Sequence, residues 1–216
     1  MSEQALLLEP RAKTIPLESI HQTTRILEQA EIAGVVDIVP AYNSIAIIYE
    51  RLLFEVEAEV VKIQQSASNQ EIESRDEKNH MVPVCYELGM DWKAVQKLTS
   101  QEREEVIQKH LAAEYKVAMM GFIPGFVYLQ GLDESIACPR KENPRIAVPA
   151  GSVGIGGNQA GIYSLESPGG WQIIGRTPVS FFDPEINPPT QVKPGDQLAF
   201  ERITKAEFQE LNEAPK

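Results

Sequence analysis

The sequence predicts an α+β fold of two domains, a small α+β domain in residues 1–80 and a mainly β domain in residues 81–216. Helical periodicity and β-branched runs share the first third of the chain, whereas the remainder holds many short β-prone pieces separated by Gly and Pro. Between them, residues 66–80 (SASNQEIESRDEKNH) carry almost no apolar side chain, which is typical of a polar linker or exposed loop. We therefore place the domain boundary in this linker.

The N-terminal domain is predicted to hold two helices and two strands. Apolar residues mostly three, four or seven apart favour a helix over 16–33, and Gly34 is a plausible stop. Two β-branched runs at 35–40 and 44–49 (VVDIVP and SIAIIY) predict a pair of short antiparallel strands joined by a turn. An amphipathic pattern over 52–65 predicts the second helix.

The C-terminal domain is predicted to be mainly β, with two short helices near its start. A strand is expected at 82–86, helices at 92–98 and 101–111, and a strand at 115–120; Thr99 and Glu102 have the spacing of a capping box. The β-prone pieces that follow are RIAVPA, SVGIG, AGIYSL, WQIIG, VSFF and QLAFERI. Their Gly and Pro spacing is typical of a barrel or sandwich, and the polar tail from 205 is predicted to be a fraying helix.

Composition excludes several classes of partner. The formal net charge of −11 argues against binding to nucleic acid or an anionic membrane, because both need clustered Lys and Arg. No stretch approaches the roughly 18 apolar residues of a membrane span, and no secretory leader is apparent. Cys85 and Cys138 form no CxxC pair and are expected to be buried thiols rather than a disulfide. A cytoplasmic protein is the simplest expectation.

Glycine and proline crowd into residues 121–178, which hold eleven of the fourteen glycines and six of the fifteen prolines. Such residues fix loops and let the main chain approach a ligand. Local basic and acidic residues balance there, so the segment can accept a small anion despite the overall charge. Tight turns in a small barrel explain the glycines equally well.

Nucleotide and metal signatures are missing from the sequence. No Gly-Lys pair occurs, so there is no GxxxxGK[ST] loop, and the glycines do not satisfy GxGxxG. Histidines at 21, 80 and 110 stand alone without a metal-ligand spacing, so no metal site is expected. His110 stays a secondary catalytic candidate because it ends a helix just before the Gly-rich segment, although a histidine at a helix C-terminus is also favoured by the helix dipole.

Arginine is the most informative residue type in the segment. A guanidinium recognises carboxylate or phosphate in a bidentate way, and rigid Pro or Gly neighbours reduce the entropy lost in holding it. The catalytic candidates are therefore Arg140, Arg145 and Arg176, with solvated surface charges as the alternative for each. Ser152 lies in PAGS and not in a GxSxG elbow, so it is expected to hydrogen-bond rather than attack. Trp171, Tyr163, Phe122, Phe126 and Tyr128 either line a pocket or fill the core.

The motif block GF-x-PGF-x-YL-x-GLD, PR, PR, VPAGSV, IGG-x-Q-x-GIY, SPGGW and IGRTP resembles the family of the B subunits of bacterial 5-oxoprolinase. That family is related to allophanate hydrolase subunit 1 and to the carboxyltransferase part of urea amidolyase, and it includes the sporulation kinase inhibitor KipI. VPVCY, the helix ending at His110 and IVPAYNSIAIIY resemble it more loosely. Roughly residues 15–205 are covered.

The resemblance implies a ferredoxin-like N-terminal domain joined to a cyclophilin-like β-barrel. It also implies a protein that acts with the A and C subunits of a complex to hydrolyse 5-oxo-L-proline to L-glutamate with ATP, the isolated chain being inactive and ATP being bound by the complex. The residues expected to bind substrate are Gly125, Tyr128, Ser152, Gln159, Tyr163, Gly169, Gly170, Trp171 and Thr177. A sensor histidine kinase as the partner of an inhibitor, and a urea amidolyase-type carboxyltransferase subunit, are the alternatives.

Overall fold

A computed structural model describes residues 4–12, 15–68 and 77–213. Contacts divide the chain into two compact units, Met1–Asp76 and Glu77–Lys216. Of the predicted linker, residues 69–76 lie outside the described residues, while 66–68 end a helix and 79–80 begin a strand. No helix in the described part of the chain is long and apolar enough to cross a membrane.

The first unit consists of three strands and two helices in its described residues. Their bounds are β1 (Ala5–Leu8), α1 (Leu17–Gln29), β2 (Val35–Pro40), β3 (Ile45–Tyr49) and α2 (Val56–Ser68). The predicted α1, β2 and β3 are confirmed, whereas α2 begins at Val56 rather than at 52, its first bond running from Glu59 N to Glu55 O at 3.2 Å. Strand β1 was not predicted, because four residues are too few to show a period.

The sheet of this unit has the order β1-β3-β2 with all pairs antiparallel. Helix α1 contacts β2, and its Ile20 and Leu27 belong to one buried apolar cluster with Ile45, Ile47 and Tyr49 of β3. A strand inserted between two others that are joined through a helix is the split β-α-β arrangement. The described residues contain no fourth strand beside β1, so the ferredoxin-like class stays a prediction.

The second unit is built mainly of short strands. Its strands are β4 (Asn79–Val84), β5 (Tyr115–Met120), β6 (Val127–Gln130), β7 (Arg145–Val148), β8 (Ser152–Gly156), β9 (Gln159–Ile162), β10 (Ser167–Gly169), β11 (Gln172–Arg176) and β12 (Gln197–Arg202). Its helices are α3 (Trp92–Thr99), α4 (Arg103–Ala112) and α5 (Lys205–Glu213), with 3₁₀ turns at Tyr86–Leu88 and Glu134–Ile136.

Seven of these strands form one sheet in the order β11-β8-β9-β6-β5-β12-β4, and β7 pairs with β10 in a separate ribbon. Within the described strands, only β12 and β4 run parallel. Cys85 N donates to Arg176 O at 2.8 Å and Arg176 N donates to Cys85 O at 3.1 Å. Because Cys85 follows β4 and Arg176 ends β11, this bridge nearly closes the sheet into a barrel, which confirms the predicted β character of this unit. The interior is apolar, with Val84, Val117, Leu129 and Ile155 fully buried.

Three local predictions in the second unit are wrong. The first strand begins at Asn79 rather than at 82, because it pairs with β12 along its whole length. The capping box belongs to Glu102 and Glu105, since α4 begins at Arg103. The VSFF segment at 179–182 is not a strand, because it lies between Pro178 and Pro184 in a proline-rich stretch that lacks donors for a ladder.

Candidate functional site

A cavity of about 330 Å³ opens in the second unit where the β7–β10 ribbon meets the barrel. Its walls come from the loop before β6, from β6 itself, from the loop before β7 and from the residues around β10. The lining residues are Phe122, Phe126, Tyr128, Arg140, Lys141, Pro144, Tyr163, Pro168, Gly169, Gly170 and Trp171. Aromatic side chains and cations thus share a space large enough for a small metabolite.

Trp171 forms one wall because two strands leave room for its ring. A Cβ added at Gly156 of β8 would lie 2.6 Å from Trp171 Cδ2, and one at Gly161 of β9 would lie 2.9 Å from Cζ3. Any larger side chain at either position would displace the indole. Phe126 and Tyr128 meet the ring at centroid distances of 5.6 and 5.8 Å in edge-to-face contacts. Gly156 and Gly161 therefore leave the space in which the Trp171 ring forms one wall of the cavity.

Arg140 lies over this wall, with its guanidinium carbon 5.2 Å from the centre of the Trp171 ring. Such cation–π contact holds a guanidinium without neutralising it. Arg140 makes no ion pair with any residue in the described ranges. Burial raises the pKa of Tyr128 and Tyr163, and the charge of Arg140 opposes that rise at both. The two phenols stay protonated near neutral pH and can donate hydrogen bonds.

A buried carboxylate, Asp91, ties the loop before β7 to the barrel. Its Oδ1 accepts from Lys141 Nζ at 3.0 Å and from Arg145 Nη2, and its Oδ2 accepts from Ile173 N at 2.7 Å. Burial would raise the pKa of Asp91, but hydrogen bonds from Arg145, Ile173 and Lys141 lower it below the usual range of a carboxyl. Asp91 is therefore ionised and fixed in orientation.

The structure brings part of the predicted site together. The predicted residues that line the cavity are Arg140, Tyr128, Tyr163, Gly169, Gly170 and Trp171. Arg145 lies just behind it, paired with Asp91. The predicted residues that do not line it are Arg176, His110, Ser152, Gln159, Gly125 and Thr177.

These other residues serve the barrel. Arg176 Nε donates to Ala150 O at 2.7 Å, and its guanidinium lies over Phe208. Ser152 is buried at the start of β8, and Gln159 lies opposite Gly156 at the far end of the β8–β9 pair. Thr177 N donates to Gly151 O at 2.8 Å. Gly125 has a φ of +74° and packs against Phe182, so it shapes the turn before β6.

His110 lies inside the barrel core. Its ring stacks on Phe200 at 4.5 Å, and the Tyr86 hydroxyl is 2.7 Å from Nδ1. Complete burial lowers the pKa of His110 to about 3. A neutral histidine buried in this way packs the core and does not line the cavity. Because it is uncharged, the helix dipole that the sequence offered as the alternative does not explain it.

The sequence did not single out several lining residues and the buried carboxylate. Lys141 and Pro144 belong to the PRKENPR loop whose arginines were singled out, and Phe122 and Phe126 were left between pocket and core. Asp91 has no comparable signal, because an Asp before a helix is expected as a cap. Among residues 4–12, 15–68 and 77–213 no cluster of three His, Cys, Asp or Glu side chains can hold a metal ion.

Comparison with known proteins gives relatives over nearly the whole chain. The chain is 38% identical to the B subunit of 5-oxoprolinase from Bacillus subtilis over 209 residues, covering 90% of this chain and 86% of that protein. It is 36% identical to the B subunit of 5-oxoprolinase from Escherichia coli O157:H7 over 206 residues, covering 93% of each.

Solved structures agree on the fold. The crystal structure of TTHA0988 matches with a TM-score of 0.78 and 29% identity over 93% of this chain, and this chain spans 40% of that protein. The urea amidolyase of K. lactis matches with a TM-score of 0.74 at 20% identity, covering 95% of this chain and 15% of that protein, and so supports the fold alone.

The family model described as carboxyltransferase domain, subdomain C and D, matches residues 1–192. That match covers the first unit, the second unit up to residue 192 and every residue that lines the cavity, and the bacterial relatives cover most of the same chain. The chain therefore belongs to this carboxyltransferase-domain family and, within it, to the B subunits of 5-oxoprolinase.

Proposed function

We propose that this chain is the B subunit of an ATP-dependent 5-oxoprolinase complex that hydrolyses 5-oxo-L-proline to L-glutamate together with the A and C subunits. The relatives named as B subunits of 5-oxoprolinase support the assignment. Within the structure, the observation that carries it is the guanidinium of Arg140, which lies over Trp171 in the cavity without an ion pair to any described residue. An aromatic wall beside such a cation suits a small, flat, anionic ligand.

The proposed substrate has the matching chemistry. 5-Oxo-L-proline is a five-membered lactam with one carboxylate, small enough for a cavity of about 330 Å³. Its carboxylate would pair with Arg140, and its ring would lie among the aromatic side chains that line the cavity. Tyr128 and Tyr163, kept protonated by burial, would donate to the lactam oxygen. The site thus orients the substrate.

The need for ATP follows from the chemistry of the lactam. Its carbonyl is a poor electrophile, so ATP would transfer its terminal phosphoryl group to the oxygen and release ADP. Water would attack the resulting imidate-like phosphate, and the ring C–N bond would break with its electron pair and a proton going to nitrogen. A second water would then hydrolyse the acyl phosphate to the carboxylate and free phosphate. Negative charge then grows near the carbonyl, where Lys141 is a further cation of the cavity. Since this chain has no P-loop, we assign ATP binding to another part of the complex and expect the isolated chain to be inactive.

The proposal also covers the classes of the two domains, the cellular compartment and the roles of the arginines. We assign the first unit to the ferredoxin-like class, supported by its split β-α-β order, and the barrel to the cyclophilin-like class. We place the reaction in the cytoplasm, because Cys85 and Cys138 are buried free thiols. Of the predicted arginines, Arg140 is assigned direct contact with the substrate; Arg145 is assigned a contact with Asp91.

The test is ATP-dependent release of glutamate from 5-oxo-L-proline by the purified chain, alone and with the A and C subunits. We expect activity only in the mixture. A mixture that is assembled, as gel filtration shows, and yet inactive would contradict the proposal. Inhibition of a sensor histidine kinase by the same chain, or carboxyl transfer to urea, would then be the activity to assay.

A further inference from the structure

We propose that Asp91 is a positioning residue that holds the cationic loop, residues 139–145, in the geometry that binds substrate. The inference rests on the proposed function, because it assumes that the cavity takes an anion. Asp91 itself does not line the cavity and acts through Lys141, Arg145 and, beyond them, Arg140.

Asp91 itself is held rigidly in the structure. Asp91 is 5% exposed, and its backbone N–H donates to Ile173 O at 3.0 Å while Ile173 N donates to its Oδ2 at 2.7 Å. Two bonds to one residue of β11 fix both the main chain and the carboxylate of Asp91. The other oxygen, Oδ1, is left to accept from the cationic loop.

Two further hydrogen bonds hold the cationic loop to the barrel. Lys141 N donates to Gly170 O at 2.6 Å, and Gln172 Nε2 donates to Pro139 O at 3.1 Å. The two side chains that Asp91 binds bracket the segment that carries Pro144 into the cavity, and Arg140 adjoins one of them. Without the pairing of Lys141 and Arg145 to Asp91, only these two bonds among the described residues would hold Arg140 over the ring of Trp171.

A purely electrostatic role of Asp91 and a positioning role predict opposite changes in anion binding when its carboxylate is lost. The cationic loop brings Arg140 and Lys141 to the cavity, and Asp91 pairs with Lys141 and with Arg145 of the same loop. Removing the charge of Asp91 makes the cavity more positive, which by attraction alone would tighten the binding of an anion. If Asp91 instead positions the loop, binding weakens, because the freed cations turn toward water and lose their orientation. Asp91→Asn separates the two effects.

A first experiment needs no catalysis. Trypsin cleaves after Arg140, Lys141 and Arg145 faster when the loop is released from the barrel, so the rate of cleavage reports how well the loop is held. We expect Asp91→Asn in the full chain to raise the rate of cleavage at these bonds roughly tenfold, as for a loss of one charge-assisted contact. Equal rates in the variant and the wild type would overturn the proposal.

The matched control is Asp196→Asn. Asp196 is also buried, at 1% exposure, and pairs with His80 at 3.0 Å, but neither residue belongs to the cavity. We expect this variant to lose stability while its loop is cleaved at the wild-type rate. Faster cleavage of the loop in both variants would mean general loosening and would also overturn the proposal.

The second experiment measures kinetics in the assembled complex. We expect Asp91→Asn to raise the KM for 5-oxo-L-proline by about tenfold with a smaller change in kcat, and to add nothing in a chain that already carries Lys141→Met and Arg145→Met. An unchanged or lower KM would contradict positioning. If the wild-type complex does not hydrolyse 5-oxo-L-proline, the proposed function fails, and the trypsin result still decides the role of Asp91.

Discussion

The cavity and the barrel core of the second unit each hold a basic side chain against aromatic rings, and they differ in what lies beyond it. Arg140 rests on Trp171 with its charge facing a cavity, whereas His110 is stacked on Phe200 and bonded to Tyr86 inside the barrel. Burial removes the charge of His110 by lowering its pKa to about 3, while a guanidinium stays charged. Access to open space, rather than contact with aromatic rings, therefore distinguishes the candidate site from the core.

The largest effect should come from Arg140→Ala. We expect kcat/KM for 5-oxo-L-proline in the assembled complex to fall by about 10- to 100-fold, because a charge-assisted contact contributes roughly 1.5–3 kcal/mol. The control is Arg202→Ala, which removes an exposed guanidinium paired with Glu104 on the same unit. Equal losses of kcat/KM in the two variants would mean that an arginine in the cavity contributes no more to the reaction than one on the surface.

Trp171→Leu should have the next largest effect. The variant removes the ring that holds the guanidinium of Arg140, so we expect KM to rise about fivefold to tenfold. Phe208→Leu is the control, since it removes the ring under Arg176 away from the cavity. Steady-state kinetics on complexes with either variant give the two KM values. An unchanged KM for Trp171→Leu would contradict the role of Trp171 as a wall of the binding cavity.

His110→Gln should lower the stability of the folded chain without changing the kinetics of the reaction. Loss of the stacked ring and of the bond to Tyr86 is expected to lower the free energy of unfolding by about 1–3 kcal/mol, measured by urea denaturation. In complexes shown to be assembled, kcat and KM should stay within about twofold of the wild type. A loss of kcat comparable to that of Arg140→Ala would place His110 in the chemistry after all.

The last prediction concerns the pH dependence of stability. Because the folded pKa of His110 is about 3 and that of an unfolded histidine is roughly 6.5, the unfolded chain takes up this proton first. The stabilising effect of the neutral ring is thus complete above about pH 6.5 and is lost as the pH falls toward 3. Below about pH 6.5 we expect the free energy of unfolding to fall with pH about 1.4 kcal/mol per unit less steeply in His110→Gln than in the wild type. Identical slopes would mean that His110 is not held neutral.

Much of the fold follows from the sequence, because long periodic segments carry their own signal. The pattern over 16–33 predicted α1, and the β-branched runs predicted β2 and β3. Strand β1 was not predicted, because its partner β3 lies about forty residues away in the chain and no local pattern indicates such a pairing. The VSFF segment shows the converse, since its β-prone residues are overruled by the prolines around it.

The site was predictable where its residues are neighbours in sequence. PRKENPR and SPGGW pointed to Arg140, Gly169, Gly170 and Trp171, all of which line the cavity. Asp91 could not be found in this way, because it lies fifty residues before Lys141 and meets it only after the barrel has formed. The sequence left His110 between a catalytic and a structural role for the same reason: whether a histidine faces a cavity or a core depends on strands far away in the chain.

The measurement that tests the central claim most directly is equilibrium binding of labelled 5-oxo-L-proline to the assembled complex, with the wild-type chain and with Arg140→Ala. The account predicts saturable binding by the wild type and at least about tenfold weaker binding by the variant. Equal affinity in the two complexes would contradict it, because the anion would then be held by something other than the guanidinium over Trp171.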